Sequence, residues 1–548
     1  RVQTPTLAMI VEREAKIAAF VKEPFYVVEI TDGNFTAERE KLKDRQTAED
    51  IRFSCDNKTA VITSVKKQEK TVSAPKLYDL TTLQREANRL FGYTAAQTLN
   101  CVQNLYEQKL CTYPRTDSRY LTSDMAETVA AVIGIVAKLP PFGGHPEFSP
   151  DVAALLSDKD VSDHHAIIPT VQMETADLAA LPVGERSLIL LICCKLLCAA
   201  ACFHVYEAVE AVFDVRNASV PDAIYSFTAK GKSVLVEGWK AFEHLFRAAL
   251  KTKPEEDAQD ENELPELSQG KLFECAAASV SEHFTTPPKP YTEDTLLSAM
   301  VSAGHASTLA LRGVGAAGKD DKVNCSAGAR EGGLGHMPDD AERKGLGTPA
   351  TRASIIEKLV SSGFAERKGK GLIPTKDGIN LITVLPEALT SPLLTAEWEQ
   401  RLTEIAGGSA EPSAFMDDIQ KMAAELVATY SHISEDGQKL FATQKEPVGV
   451  CPRCKEQVYE GKKNFYCGDR GCGFVLWKND RFWLSRKKEL TKKIAADLLK
   501  KGRVKVKGMY SQKKDTTYEA TVILDDTGGK YVNFKLEFER RKERTNER

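Results

Sequence analysis

The sequence predicts a multidomain α+β protein, and three observations carry that expectation. Its 548 residues suffice for roughly three or four domains. Along the chain the hydrophobic pattern switches between strand-like alternation and helical spacing, with strand-like blocks on both sides of a helical one. Beyond Cys451 the charge balance and the cysteine spacing both change, which sets the C-terminal part apart. Hydrophobic residues at 42% and charged residues at 28% are ordinary for a globular protein with a sizeable core.

The opening Arg1-Val2-Gln3-Thr4-Pro5-Thr6-Leu7 leads into a helix. Thr4 is its expected N-cap, Pro5 its first residue, and Leu7, Ile10, Val11, Ile17 and Val21 its apolar stripe. Residues 1–22 thus start a helical domain. Alternation at Phe25 to Ile30 and Ala60 to Val65 makes residues 23–76 the first part of a β-rich region. Residues 77–204 form a mostly helical block. Its capping boxes are Thr81-x-x-Gln84 and Thr94-x-x-Gln97, with Gly92 between them as a C′ residue. The second helix is expected to carry Leu99, Val102, Tyr106 and Leu110 on one face and to deliver the chain to Tyr113. Another helix starts near Ser123.

Alternation returns at Tyr206 to Phe213 and at Ser233 to Trp239. Residues 205–286 therefore complete the β region into which the helical block is inserted. Pro254 to Glu266 reads as an acidic surface loop. Residues 287–430 are helical again. Thr348 caps a helix that starts at Pro349 and runs through Ile355, Ile356 and Leu359 to Gly363, and a basic hairpin follows from Phe364 to Ile373. A helix followed by such a hairpin looks like a winged DNA-binding unit. The Gly/Ala-rich stretch Ala303 to Pro338 reads as a mobile loop. Residues 447–485 carry a cysteine module. Residues 486–548 read as a basic α/β module, with a helix from Thr491 to Leu499 and strands from Val504 to Phe538.

Several classes are excluded. No apolar run is long enough for a membrane span, and the longest, Leu188 to Phe203, is broken by Lys195. Thirteen cysteines, an odd number, with Cys193, Cys194, Cys198 and Cys202 inside an apolar helical pattern, point to a reducing cytoplasmic compartment rather than a disulfide scaffold. The first residue is Arg1 and no signal peptide is evident, so the chain is expected to be a piece of a longer one, cut within a domain. The net charge of −3 conceals an asymmetry. From Cys451 onward 26 Lys+Arg face 14 Asp+Glu, which points to nucleic acid or another polyanion at that end.

Two motifs carry chemistry. Cys451-Pro452-Arg453-Cys454 and Cys467-Gly468-Asp469-Arg470-Gly471-Cys472 give C-x2-C, twelve residues, then C-x4-C. That spacing fits a closed, structural Zn2+ ribbon held by Cys451, Cys454, Cys467 and Cys472. Tyr466, Phe474, Trp477, Phe482 and Trp483 lie among Lys478, Arg481, Arg486, Lys487 and Lys488. This mixture suits stacking on unpaired bases, although core packing explains some of the same aromatics. The second motif is Cys111-Thr112-Tyr113-Pro114-Arg115-Thr116-Asp117-Ser118. Pro114 fixes its own φ and pushes Tyr113 toward extended geometry. A phenol nucleophile beside a permanently charged guanidinium suits phosphodiester chemistry. Alone, the triplet more often marks a surface turn.

Set beside Arg1-Val2-Gln3-Thr4-Pro5-Thr6-Leu7, Asp163-His164-His165-Ala166-Ile167-Ile168-Pro169-Thr170 and Gly347-Thr348-Pro349-Ala350-Thr351-Arg352, the Tyr113 motif gains weight. Four motifs in this order, over about residues 1–430, resemble those of type IA DNA topoisomerases, most closely the bacterial topoisomerase III branch. The resemblance implies a toroidal core of helical domains plus a β-rich arch, and the zinc ribbon and small β module fit tails of that family. It implies that Tyr113 cleaves one DNA strand through a 5′-phosphotyrosyl link, that a second strand passes, and that the free 3′-hydroxyl reverses the cleavage without ATP. No G-x4-GK[ST] P-loop is found. Arg115 is implied as a clamp for the transferring phosphoryl group, a contribution on the order of 2–4 kcal/mol. His164 or His165 is implied to contact the scissile strand, a structural histidine being the other reading. Arg1, Gln3 and Arg352 are carried over as DNA-binding residues.

In that family an acidic Toprim domain holding Mg2+ lies upstream of the segment that begins at Arg1. It is absent from this sequence, so the chain alone is expected not to complete relaxation. The implied partners are DNA, especially single-stranded or negatively supercoiled, and a helicase. The implied protein is a cytoplasmic bacterial monomer, nucleoid-associated or encoded on a plasmid or mobile element. Two other readings stay open. One is another tyrosine transesterase, a recombinase or relaxase. The other is a non-catalytic single-strand-binding module that works through its tail.

Overall fold

A computed structural model describes residues 2–31, 33, 36–144, 148–161, 163–216, 224–250, 267–311, 345–431, 437, 440, 446–469, 471–529 and 531–538. The chain divides into two compact units, residues 1–431 and 432–548.

The first unit is organised by a closed antiparallel barrel. Its strands are β1 (Pro24–Thr31), β2 (Thr36–Glu38), β3 (Lys58–Val72), β4 (His204–Arg216), β5 (Ile224–Val236) and β6 (Leu272–Phe284), in the order β1-β2-β5-β4-β3-β6. Val28, Ile30, Ile62, Phe213 and Phe227 form its core. Closure removes the exposed edges that an open sheet of this length presents. The alternating pattern marks β1, β3, β4 and the end of β5, but not β2, β6 or the helix α2 (Arg45–Cys55). Asp44 caps α2 by accepting from the Thr47 N–H at 2.7 Å, and Ala48, Ile51 and Cys55 bury its inner face.

A helical block is inserted between β3 and β4, and both of its connections leave at the paired residues Val72 and His204. It contains α3 (Leu80–Phe91), α4 (Ala95–Glu107), α5 (Ala126–Val136) and α6 (Val183–Ala200). Helix α7 (Lys240–Leu250), which follows β5, adds Phe242 and Phe246 to the same core. Gly238 makes the turn into α7 with φ of 56°, and a Cβ there would collide with the Phe203 carbonyl.

Caps differ from the expected ones in detail. The cap of α3 is Asp79 with Thr82 rather than Thr81 with Gln84, because the carboxylate accepts from the Thr82 N–H at 2.6 Å. Thr94 and Gln97 form the capping box of α4, and Gly92 closes α3 with φ of 72°. The buried face of α4 is Ala95, Thr98, Val102 and Leu105, and Tyr106 is 40% exposed.

The remaining helices of this unit surround a separate core. Helix α1 spans Gln3–Ala18, so it begins before the expected Thr4 cap. Val2 occupies the cap position, and the Thr6 hydroxyl donates to the Val2 carbonyl at 2.8 Å. Val21 lies beyond the helix and is exposed. Leu7 and Ile10 of α1 pack with α8 (Glu293–Leu311) and α9 (Pro349–Ser361). Strand β7 (Tyr291–Thr292) joins the hairpin β8 (Ala365–Lys368) and β9 (Gly371–Pro374) as the wing-like sheet β7-β9-β8. Helices α10 (Lys376–Val384), α11 (Glu387–Thr390), α12 (Leu393–Ala406) and α13 (Pro412–Tyr430) complete the unit. Of the expected loop from Ala303 to Pro338, residues up to 311 are helical, and the rest lies outside the described residues, as does the acidic loop 254–266.

The second unit joins a four-stranded meander to a small α/β module. The meander comprises β10 (Pro447–Val450), β11 (Gln457–Glu460), β12 (Asn464–Cys467) and β13 (Val475–Trp477). Helices α14 (Arg481–Leu484) and α15 (Lys492–Lys501) lead to the sheet β14 (Arg503–Ser511), β15 (Thr516–Asp525) and β16 (Asn533–Glu537). Phe465, Phe474 and Trp483 are almost fully buried in one core with Leu498, Met509 and Val522. Phe474 and Trp483 therefore serve packing, not base stacking, and Trp477 is the exposed aromatic among the five named above. No helix of the described residues is long and apolar enough to cross a membrane.

Candidate active site

The Tyr113 segment follows α4 through a turn at Lys109, whose φ is 62°, and residues 112–119 are neither helix nor strand. Hydrogen bonds to the segment 164–170 hold it. The Thr112 N–H donates to the Ile168 carbonyl at 2.9 Å. The Thr112 hydroxyl donates to Ala166 O at 3.0 Å and accepts from the Ile168 N–H at 3.0 Å. The Thr116 hydroxyl donates to the His164 carbonyl at 2.8 Å, and the Thr116 carbonyl accepts from Leu80 N at 3.1 Å. Each hydroxyl satisfies backbone groups that a buried, irregular segment otherwise leaves unpaired. Two motifs about fifty residues apart in sequence thus become one surface.

On that surface Tyr113 is half-buried between two rings. The His164 imidazole is tilted against it with centroids 4.4 Å apart, and the Tyr106 ring meets it edge-on at 5.4 Å. Pro114 is buried and Arg115 is exposed. The Arg115 side chain is therefore open to solvent two residues after Tyr113. Tyr106 and the two threonines were not singled out as site residues. Tyr106 reads as core by helical spacing, and the threonine bonds depend on a pairing that only the fold creates.

The other expected residues separate. His165 is half-buried, with Nδ1 2.9 Å from the Ala166 carbonyl, so one ring nitrogen is engaged locally. Gln3 is exposed at the first residue of α1, and no contact joins it to Tyr113 among the described residues. Arg1 lies outside them. Arg352 lies apart from the Tyr113 surface in its bonding. It is 5% exposed, and its guanidinium donates to Leu346 O at 3.2 Å, Gly347 O at 2.8 Å and the Thr81 hydroxyl at 3.0 Å. Burial lowers its pKa, and Asp79 partly offsets that. This arginine ties α9 to α3 and offers no open face to a strand.

In the second unit the Sγ atoms of Cys451, Cys454, Cys467 and Cys472 all lie within 4.8 Å of one another. Cys454 and Cys467 are 3.3 Å apart, and Cys451 and Cys472 are 3.7 Å apart. A tetrahedral zinc with Zn–S of about 2.3 Å needs sulfurs roughly 3.8 Å apart, so the four thiols fit that ion. Lys455, with φ of 70°, and Gly473, with φ of 69°, shape the two turns. Among the described residues this is the one group of three or more His, Cys, Asp or Glu side chains gathered closely enough for a metal.

A family model described as DNA topoisomerase matches residues 1–417. DNA topoisomerase 3 of Bacillus subtilis is 35% identical over 493 residues, covering 86% of this chain and 62% of that protein. The Bacillus licheniformis protein of the same name is 36% identical over 499 residues, with the same coverage. The chain thus spans about three fifths of the length of these relatives. The full-length topoisomerase I of Thermotoga maritima aligns over 86% of this chain and 69% of its own, with a TM-score of 0.54 at 21% identity, a likeness of fold. The match to the family model over most of the chain, joined to this fold, shows that the chain belongs to the type IA DNA topoisomerase family.

Proposed function

We propose that this chain carries the nucleophile of a DNA strand-passage enzyme, with Tyr113 attacking a phosphodiester of single-stranded DNA. The observation that carries the reading is Tyr113 held on a pinned, irregular segment, with His164 against its ring and Arg115 exposed two residues further along the same segment. The phenol oxygen forms a bond to phosphorus and loses its proton, and the P–O3′ bond breaks. That leaves a 5′-phosphotyrosyl link and a 3′-hydroxyl. Arg115 pairs with the oxygens on which charge accumulates, and His164 and Tyr106 restrict the phenol to few orientations. After a second strand passes, the 3′-oxygen attacks the phosphotyrosine and restores both bonds, so bond energy is conserved and no nucleotide is consumed.

The test is a trapping assay. Labelled single-stranded DNA is incubated with the protein in Mg2+ and denatured, and the label that stays with protein is measured. Wild type is expected to retain label placed on the 3′ side of the break, on the fragment whose 5′-phosphate it holds, and Tyr113→Phe to retain none. Equal retention by both overturns the assignment.

The second unit is proposed to hold structural Zn2+ through its four cysteines and to bind single-stranded DNA through its positive excess and exposed Trp477. Metal analysis is expected to give one zinc per chain, and chelation to lower single-strand affinity while this unit loses protection from protease. A metal-free protein with unchanged affinity and protection refutes this.

A further inference from the structure

Beside the Tyr113 segment lies a cleft of about 160 Å3 that the reaction above does not use. It opens between the helical block and the start of α8, and its charged lining is Arg85, Glu86, Arg89, Arg119, Lys195 and Asp294. Four cations thus face two carboxylates. Both carboxylates are already engaged. Glu86 accepts from the Tyr78 hydroxyl at 2.6 Å, pairs with Lys195 at 2.9 Å and lies 3.6 Å from Arg89. Burial alone raises the Glu86 pKa, but Lys195, the Tyr78 hydroxyl and Arg89 outweigh it and keep the carboxyl ionised. Asp294 pairs with Arg85 at 2.8 Å. The next carboxylate, Asp79, is turned to its capping bonds with Thr82. Arg119 gives its Nε–H to the Leu77 carbonyl at 3.1 Å, one of the five N–H donors of a guanidinium.

We infer that this cleft is an anion subsite for a phosphate group, carried by a nucleic-acid strand or free in solution. Its volume is below the ~300–1,000 Å3 of sites for drug-sized ligands but admits a tetrahedral oxyanion with bridging water. Its surplus of cations is supplied largely by arginines, whose planar forks match phosphate oxygens. The site is wired to the nucleophile segment twice. Arg119 belongs to that segment, and the wall residue Tyr78 pairs with Ile167 while Leu80 N donates to Thr116 O. An occupied cleft therefore bears on the segment that presents Tyr113. The inference leans on the proposed function only where the phosphate is a DNA strand's. The anion site itself stands on charge and geometry.

The experiment compares wild type with Arg119→Gln, Arg119→Lys and the half-exposed Arg89→Gln, with circular dichroism to verify folding. Melting temperature is read in sodium phosphate against sodium chloride at equal ionic strength, and affinity for a fluorescent oligodeoxynucleotide is read across salt. Phosphate is expected to raise the melting temperature of wild type and Arg119→Lys, and to do so less in the two Gln variants. If the phosphate is a strand's, Arg119→Gln binds the oligonucleotide about tenfold more weakly whatever its sequence, with a salt slope lower by about one, and phosphate competes. If it is free, phosphate stabilises without competing and oligonucleotide affinity is unchanged. Either outcome supports the subsite. No phosphate-specific rise in wild type, together with unchanged oligonucleotide binding in folded Arg119→Gln or Arg89→Gln, overturns it. Tyr113→Phe is expected to keep the phosphate response, so failure of the nucleophile assignment is read separately.

Discussion

Two motifs of this chain each contain an arginine within three residues after a proline, and the fold treats them oppositely. In the segment from Tyr113 to Ser118, backbone and hydroxyl groups are tied down while Arg115 is left exposed. In the segment from Gly347 to Arg352, the arginine itself is the tie, buried against two carbonyls and the Thr81 hydroxyl. A buried guanidinium that spends its donors on protein acceptors cannot also meet a phosphate without breaking them. An exposed one on a pinned segment meets a phosphate at little reorganisation cost. The same residue type is therefore left open to solvent in one motif and serves as scaffold in the other, and what its side chain touches decides which.

The sharpest way to break this comparison is Arg115→Ala. If Arg115 is a phosphate clamp, the rate of covalent adduct formation falls about 10²–10³-fold, or roughly 2.7–4 kcal/mol in the barrier. The melting temperature is expected to stay within experimental scatter, because an exposed side chain without a protein partner contributes little to folding. Adduct formation at the wild-type rate, or a large loss of stability, would place Arg115 with the scaffold instead.

Legibility from sequence follows the range of the interaction. The four cysteines are legible because their two closely spaced pairs are a local pattern, and the fold gathers Cys451, Cys454, Cys467 and Cys472 into one cluster. Strands β1, β3 and β4 and the inserted helical block are legible because period-two and helical spacing are local patterns, whereas β2 and β6 are not marked by alternation. The Thr94 capping box is local too, whereas Asp79 displaces Thr81 as the cap of α3 because a carboxylate two residues earlier is an equally good acceptor. What escapes is long-range. The burial of Arg352 depends on Thr81, which is 271 positions away. The Thr112 and Thr116 bonds depend on where residues 164–168 pass. Trp483 and Phe474 read as stacking platforms until a small core encloses them.

A smaller effect tests the other half of the comparison. Arg352→Ala removes three hydrogen bonds from a charged donor and leaves the Leu346 and Gly347 carbonyls and the Thr81 hydroxyl without that partner. Bonds of this kind contribute about 1.5–3 kcal/mol each to charged groups. The variant also removes a charge whose burial is itself costly, as the downward push of burial on its pKa indicates. The two effects oppose, so the expected net loss is about 2 kcal/mol, read as a lower midpoint in urea with an unchanged m-value. Because the side chain has no open face, the folded fraction is expected to bind single-stranded DNA with wild-type affinity and the wild-type salt slope. A variant of wild-type stability that has lost affinity and about one unit of salt slope would return Arg352 to the strand-binding surface. The two arginines would then act alike, and the division between clamp and tie would fall.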